Sequence, residues 1–172
     1  MLHNILVALD RSETYQHVLD EALTLAKATH ASLMFFHVLN SFDKGYPYPM
    51  YPSADAYPAL YEEAIQAYTE QIQRFEQEGI AFLRSLTQQA AALDIPAEYS
   101  QSSGDPGKKI CEAAENWKAD AILMGRRGRS GLREMLLGSV SSYVLHHAPC
   151  SVMMIQGAFS DAEALQEYLD VC

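Results

Sequence analysis

The stretch GRRGRSGLREMLLGS, residues 125–139, sets Gly125, Gly128, Gly138 and Ser139 among four arginines, Arg126, Arg127, Arg129 and Arg133. Glycine has no Cβ, so the backbone at Gly125 and Gly128 can turn sharply and bring its N–H groups close to an anion. After Gly138, the residues Val140, Val144 and Leu145 recur at helical spacing, which puts Ser139 at or near a helix N-cap. The unpaired N–H groups and partial positive charge of that helix start would face the same anion, and the serine hydroxyl can add one bond. The chemistry this spacing suits is phosphate binding. A plain turn at Gly125 and Gly128, with Gly138 only ending a short helix, would use the same letters, and a solvated basic loop would carry the same charge.

The rest of the chain is acidic. It has 22 Asp and Glu against 12 Lys and Arg, a net charge of -10, which repels nucleic acid and anionic lipid over most of the surface. The positive charge at 125–133 is therefore local and suits a small anionic partner. Cys111, Cys150 and Cys172 are odd in number, far apart and without zinc spacing, so neither a disulfide framework nor a metal site is expected. His146 and His147 are adjacent and would point in different directions from a helix, which argues against a metal pair. No apolar run approaches the roughly 20 residues that span a bilayer, and the expected compartment is the cytoplasm. There is no P-loop G-K-[ST] and no general base identifiable beside the glycine loop, so no catalytic residue is assigned and hydrolysis would at most be that of a weak ATPase.

The elements that must position the loop are legible as short apolar runs at 4–10, 31–39, 119–125 and 150–156, with a weaker strand at 97–103 after Pro96. Unbroken apolar runs suit strands covered on both faces. Helical patterns lie between them, including Val18, Ala22, Leu25 and Ala26, and Ile110, Ala113, Ala114 and Trp117. The order β-α-β-α-β-α-β-α-β predicts a single-domain parallel sheet with helices on both faces. The second helix is long, from about Leu60 to Leu93, and requires either a bend near Gly79 or a first half that projects towards a partner. Residues 41–61 hold five tyrosines and four prolines and read as a long loop, either mobile or a lid over a ligand. Residues 157–172 read as an acidic tail with a short helix begun by Ser160 and Glu163.

The spacing G-x-x-G, nine residues, Gly-Ser at Gly125, Gly128, Gly138 and Ser139 resembles the ATP-binding branch of the universal stress protein family. ILVALDRSE near the start and HHAPCSVMMI near residue 150 are similar to that family's first and last strands, so the resemblance covers about residues 1–156. It implies a five-stranded sheet in the order 3-2-1-4-5, ATP or another adenine nucleotide (ADP, AMP) between strands one and four, with Mg2+ as a candidate companion of the phosphates, and a homodimer through the fifth strand, 150–156. By the same resemblance, Asp10 would meet the ribose, backbone at Val38 and the side of Met124 the adenine, and Gly125, Gly128, Gly138, Ser139 and Val140 the phosphates. Asp10 could equally be the N-cap of a helix beginning near Arg11. Arg126 stands where the family usually has a small residue, and with Arg127 and Arg129 completes the candidate cofactor-binding set. Three functions follow: a nucleotide-responsive stress or signalling homodimer with a protein partner, a slow ATP hydrolase or phosphoryl-transfer enzyme, and a structural dimer with the loop empty.

Overall fold

The computed structural model describes residues 2–12, 15–41, 43, 45–49, 53, 57–126 and 137–156. Five strands and four helices alternate along them: β1 (Asn4–Ala8), α1 (Tyr15–Thr29), β2 (Ser32–Leu39), α2 (Pro58–Ala91), β3 (Ala97–Ser103), α3 (Pro106–Trp117), β4 (Ala121–Gly125), α4 (Ser139–His147) and β5 (Ser151–Ile155). The strands form one parallel sheet in the order β3-β2-β1-β4-β5. Both this order and the fold class agree with the expectation from the sequence.

The two-residue period of the strands divides the core between the faces of the sheet. Ile5, Val7 and Leu9 join Phe35, Leu19, Ala22, Leu83 and Leu86 on the α1 and α2 side. Leu6 and Ala8 join Phe36, Ile122, Ile110 and Val144 on the α3 and α4 side. This is why β1, β2 and β4 are nearly unbroken in apolar character: each must satisfy two cores at once. The edge strands β3 and β5 carry no fully buried residue.

Local signals set the helix ends. Asp105 caps α3 by accepting a bond from the Lys108 N–H at 3.0 Å, and Pro106 follows with its φ already suited to a first helical turn. Pro58 plays the same part in α2, so the last four residues of the Tyr/Pro segment 41–61 are helix, and the expectation of loop throughout that segment is corrected there. The α2 helix has 34 residues and runs unbroken, about 51 Å at 1.5 Å per residue. No residue from 58 to 74 is buried and the first buried side chain is Phe75, which is the burial that a projecting first half would show.

Gly79 serves close approach. A Cβ there would collide with Oε1 of Gln101 on β3 and lie 3.4 Å from Nδ1 of His37 on β2. The acidic tail, 157–172, lies outside the described residues. No described helix is long and apolar enough to cross a membrane.

Candidate functional site

At the carboxyl ends of β1 and β4 the strand order reverses, and a cleft of about 770 Å³ opens there. Such a switch point is where open parallel sheets place their ligands, because the helices following the two strands leave on opposite faces. The floor is apolar: Ala8 of β1 stands in register with Phe36 of β2 and Met124 of β4, and Val38 lies further along β2. One wall holds Asp105, Pro106 and Gly107 at the start of α3, and the other holds Gly138, Ser139 and Val140 at the start of α4.

Of the residues chosen from sequence, Asp10, Val38, Met124, Gly125, Gly138, Ser139 and Val140 all line this one cleft. Arg126 does not line it; its backbone N–H continues the β4–β5 ladder to the Ile155 carbonyl at 2.8 Å, and its buried Nε has no hydrogen-bond partner among the described residues. Arg127, Gly128 and Arg129 lie outside the described residues. Asp10 is not the cap of an adjacent helix, since α1 begins at Tyr15. Its Oδ1 instead accepts the Ser12 N–H and the Ser12 hydroxyl, closing a tight local turn at the cleft edge.

The N-cap of α4 is Gly138, and Ser139 is the first helical residue. Gly138 has φ -59° and ψ 155°, a conformation open to any residue, and it offers no side chain to cap the helix. The first helical bond runs from Ser142 N–H to the Gly138 carbonyl at 2.8 Å, so the N–H groups of Ser139, Val140 and Ser141 have no acceptor within the helix. The Ser141 hydroxyl fixes this turn against the sheet by donating to the Gly125 carbonyl at 3.1 Å. The two helix starts thus differ among the described residues: α3 brings its own carboxylate cap, whereas α4 has no side-chain cap. Among the described lining residues there is no Lys, Arg or His, and the charged groups are the carboxylates Asp10, Asp43 and Asp105. An anion in this part of the cleft would therefore be held by main-chain N–H groups and the dipole of α4.

Sequence reasoning missed Asn40, Asp43 and the α3 wall. The wall was signalled by Asp105-Pro106 just ahead of an apolar-periodic run, an N-cap and first-turn proline. Asp43 carried no local signal. It is buried where the chain leaves β2, accepting from the Asn40 N–H at 3.2 Å and the Asn40 amide at 3.0 Å. Of the described residues in 41–61, Asp43 alone lines the cleft, while Tyr46 packs edge-on against Phe75 of α2 at 5.5 Å. Arg11, beside Asp10, also reaches α2, with an ion pair to Glu78 at 3.3 Å and its guanidinium over Phe75. The middle of α2 therefore holds both loops that border the cleft from the β1 and β2 side.

Behind Asp43 stands His37, 1% exposed. Gln101 donates its amide N–H to the Glu76 carbonyl at 3.1 Å, so its Oε1 faces His37 Nδ1 at 3.4 Å and Nδ1 is the protonated nitrogen. Nε2 lies 4.0 Å from Asp43 Oδ2, beyond hydrogen-bond reach. Burial holds the imidazole below its usual 6.5, outweighing the opposing pull of Gln101 and the nearby carboxylates. The sign of the consequence follows: above 6.5 both folded and unfolded forms are neutral at this site, and as pH falls below 6.5 the unfolded chain takes a proton that the folded ring refuses. His37→Gln should accordingly lose less stability than the parent between neutral pH and pH of about 5, measured by urea denaturation. An equal or steeper loss in the variant would show that His37 is not responsible.

The fold and cleft define a class of α/β protein: a doubly wound parallel sheet with the start of a helix at its switch point. A model of the universal stress protein family matches residues 1–156, and the chain belongs to that family. Universal stress protein Sll1388 of Synechocystis is 38% identical over 156 residues, covering 88% of this chain and 96% of the relative. Among solved structures, the hypothetical protein MJ0577 superposes with a TM-score of 0.72 at 21% identity, covering 93% of this chain and 99% of the other. A universal stress protein family protein from Arabidopsis thaliana, solved with AMP bound, superposes with a TM-score of 0.57 at 18% identity over 91% of this chain and 92% of its own.

Proposed function

We propose that this stress protein binds an adenine nucleotide in the cleft and acts as a nucleotide-responsive homodimer. The observation that carries the reading is the N-terminus of α4 at the switch point, without a side-chain cap among the described residues, beside the apolar floor of a cleft of about 770 Å³. The AMP-bound relative of the same fold supports the choice of adenine. In this reading Val38 and Met124 border the base and Asp10 accepts from the ribose hydroxyls. Gly125, Gly138, Ser139 and Val140 surround the phosphates, with Gly128, Arg127 and Arg129 completing that end. Mg2+ would enter with the phosphates: among the described residues no three His, Cys, Asp or Glu side chains are grouped to hold a metal ion.

The dimer would use the open edge of β5. Val152 and Met154 pack against the protein's own core, whereas Met153, on the opposite face of β5, is 43% exposed. The reading is tested by mass spectrometry of small molecules released from the purified, denatured protein, with sedimentation of the parent and Met153→Lys. Release of AMP, ADP or ATP and a dimer weakened in the variant are expected. Absence of nucleotide, with no binding when ATP or AMP is added, would overturn the nucleotide assignment; an unweakened dimer would remove the β5 edge as its interface.

A further inference from the structure

We propose that the projecting half of α2 is a docking surface for a basic amphipathic helix of a protein partner. Tyr61, Ala64, Tyr68 and Ile72 continue, at spacings of three and four, the helix face that becomes core at Phe75 and Gly79. Before Phe75 no residue of that face is buried. Tyr46 covers part of it, packing on Phe75 and hydrogen-bonding with Tyr68. Its outer end stays open, with Leu60 52% and Ile65 39% exposed.

Charge selects the occupant. Residues 58–74 contain Glu62, Glu63 and Glu70, all exposed, against one cation, Arg74, at the end next to the core. At 100° per residue Glu62 borders Ile65 and Glu63 borders Leu60, so carboxylates rim both sides of the open apolar strip. A second copy of this helix would bring like charges together, and nucleic acid or an anionic lipid surface is repelled by the net charge of -10. A helix with an apolar stripe flanked by Lys or Arg satisfies both features, and ridges spaced three and four apart receive a helix better than an extended strand. The 17 residues 58–74, about 25 Å of helix, give it a seat of several turns.

The probe is a labelled amphipathic peptide of about 18 residues, Leu on one face and Lys on the other, with a Leu/Glu twin as control. Fluorescence anisotropy should show the Leu/Lys peptide binding the full chain and the Leu/Glu peptide not binding. Leu60→Ser with Ile65→Ser should weaken binding about tenfold or more, and Glu62→Gln with Glu63→Gln should lower both affinity and its salt dependence. Asp20→Asn with Glu21→Gln, an equal charge change on exposed positions of α1, should do neither. These substitutions are at exposed helix positions, and circular dichroism checks that the fold is kept. Equal binding by parent and Leu60/Ile65 variant, an equal effect of the α1 control, or binding of the Leu/Glu twin would each overturn the proposal. So would sedimentation showing that Leu60 and Ile65 drive self-association.

Discussion

Calorimetric titration of AMP or ATP into Gly138→Val should show affinity reduced about a hundredfold, roughly 2.7 kcal/mol, with the circular dichroism spectrum unchanged. The backbone tolerates the change because φ -59° and ψ 155° at Gly138 are accessible to any residue. What the change removes is room: two methyl groups would stand at the helix start, where Ser139, Val140 and Ser141 line the cleft. Gly138→Ser separates the causes further. Its hydroxyl would cap α4 itself, raising stability by a few tenths of a kcal/mol while competing with the anion for the same N–H groups. Stability and binding should then move in opposite directions. If both variants bind nucleotide as the parent does, the phosphates do not lie at α4.

The second large effect is expected at Gly107, and there stability and cleft shape change together. A Cβ at Gly107 would lie 2.7 Å from Cδ1, 2.9 Å from Cγ and 3.0 Å from Cβ of Tyr143. The last of these is fixed to the α4 backbone, so rotating the ring cannot relieve it; α3 and α4 must separate. Gly107→Val should cost about 3 kcal/mol by overpacking, a loss of several degrees in Tm for a chain of this size. Gly107→Ala should cost less, and Tyr143→Ala should restore part of that loss when combined with it. Both Gly107 and Tyr143 line the cleft, so separating their helices also displaces the wall facing the proposed phosphate site. Thermal denaturation of the single and double variants checks the packing argument; losses that simply add would refute direct contact between the two positions.

The order of strands and helices was legible because it is written in local patterns. Apolar runs at β1, β2 and β4 mark strands buried on both faces, and three- and four-residue spacing marks the helices. The placing of Gly125, Gly138 and Ser139 on one cleft was legible for the same reason, since a strand end, a glycine and a helix start lie close along the chain. The sequence put Ser139 at or near the cap, and only the first helical bond, from Ser142 N–H to the Gly138 carbonyl, makes Gly138 the N-cap and Ser139 the first helical residue.

Tertiary structure decided what has no local cause. The gathering of Asp10, Asp43 and Asp105 on one cleft depends on the parallel order, which brings the ends of β1, β2 and β3 to the same edge of the sheet. Tyr46 could not be assigned to α2 from the sequence, because the tyrosines and prolines of 41–61 show low helical character and not what they touch. Gly79 looked like a hinge, since glycine weakens a helix wherever it stands. Only the packed structure shows that the missing side chain is the space occupied by Gln101 beside His37. The physical reason is common to all three: periodicity records which face of an element is apolar, while the partner of that face is chosen by contacts between residues far apart in the chain.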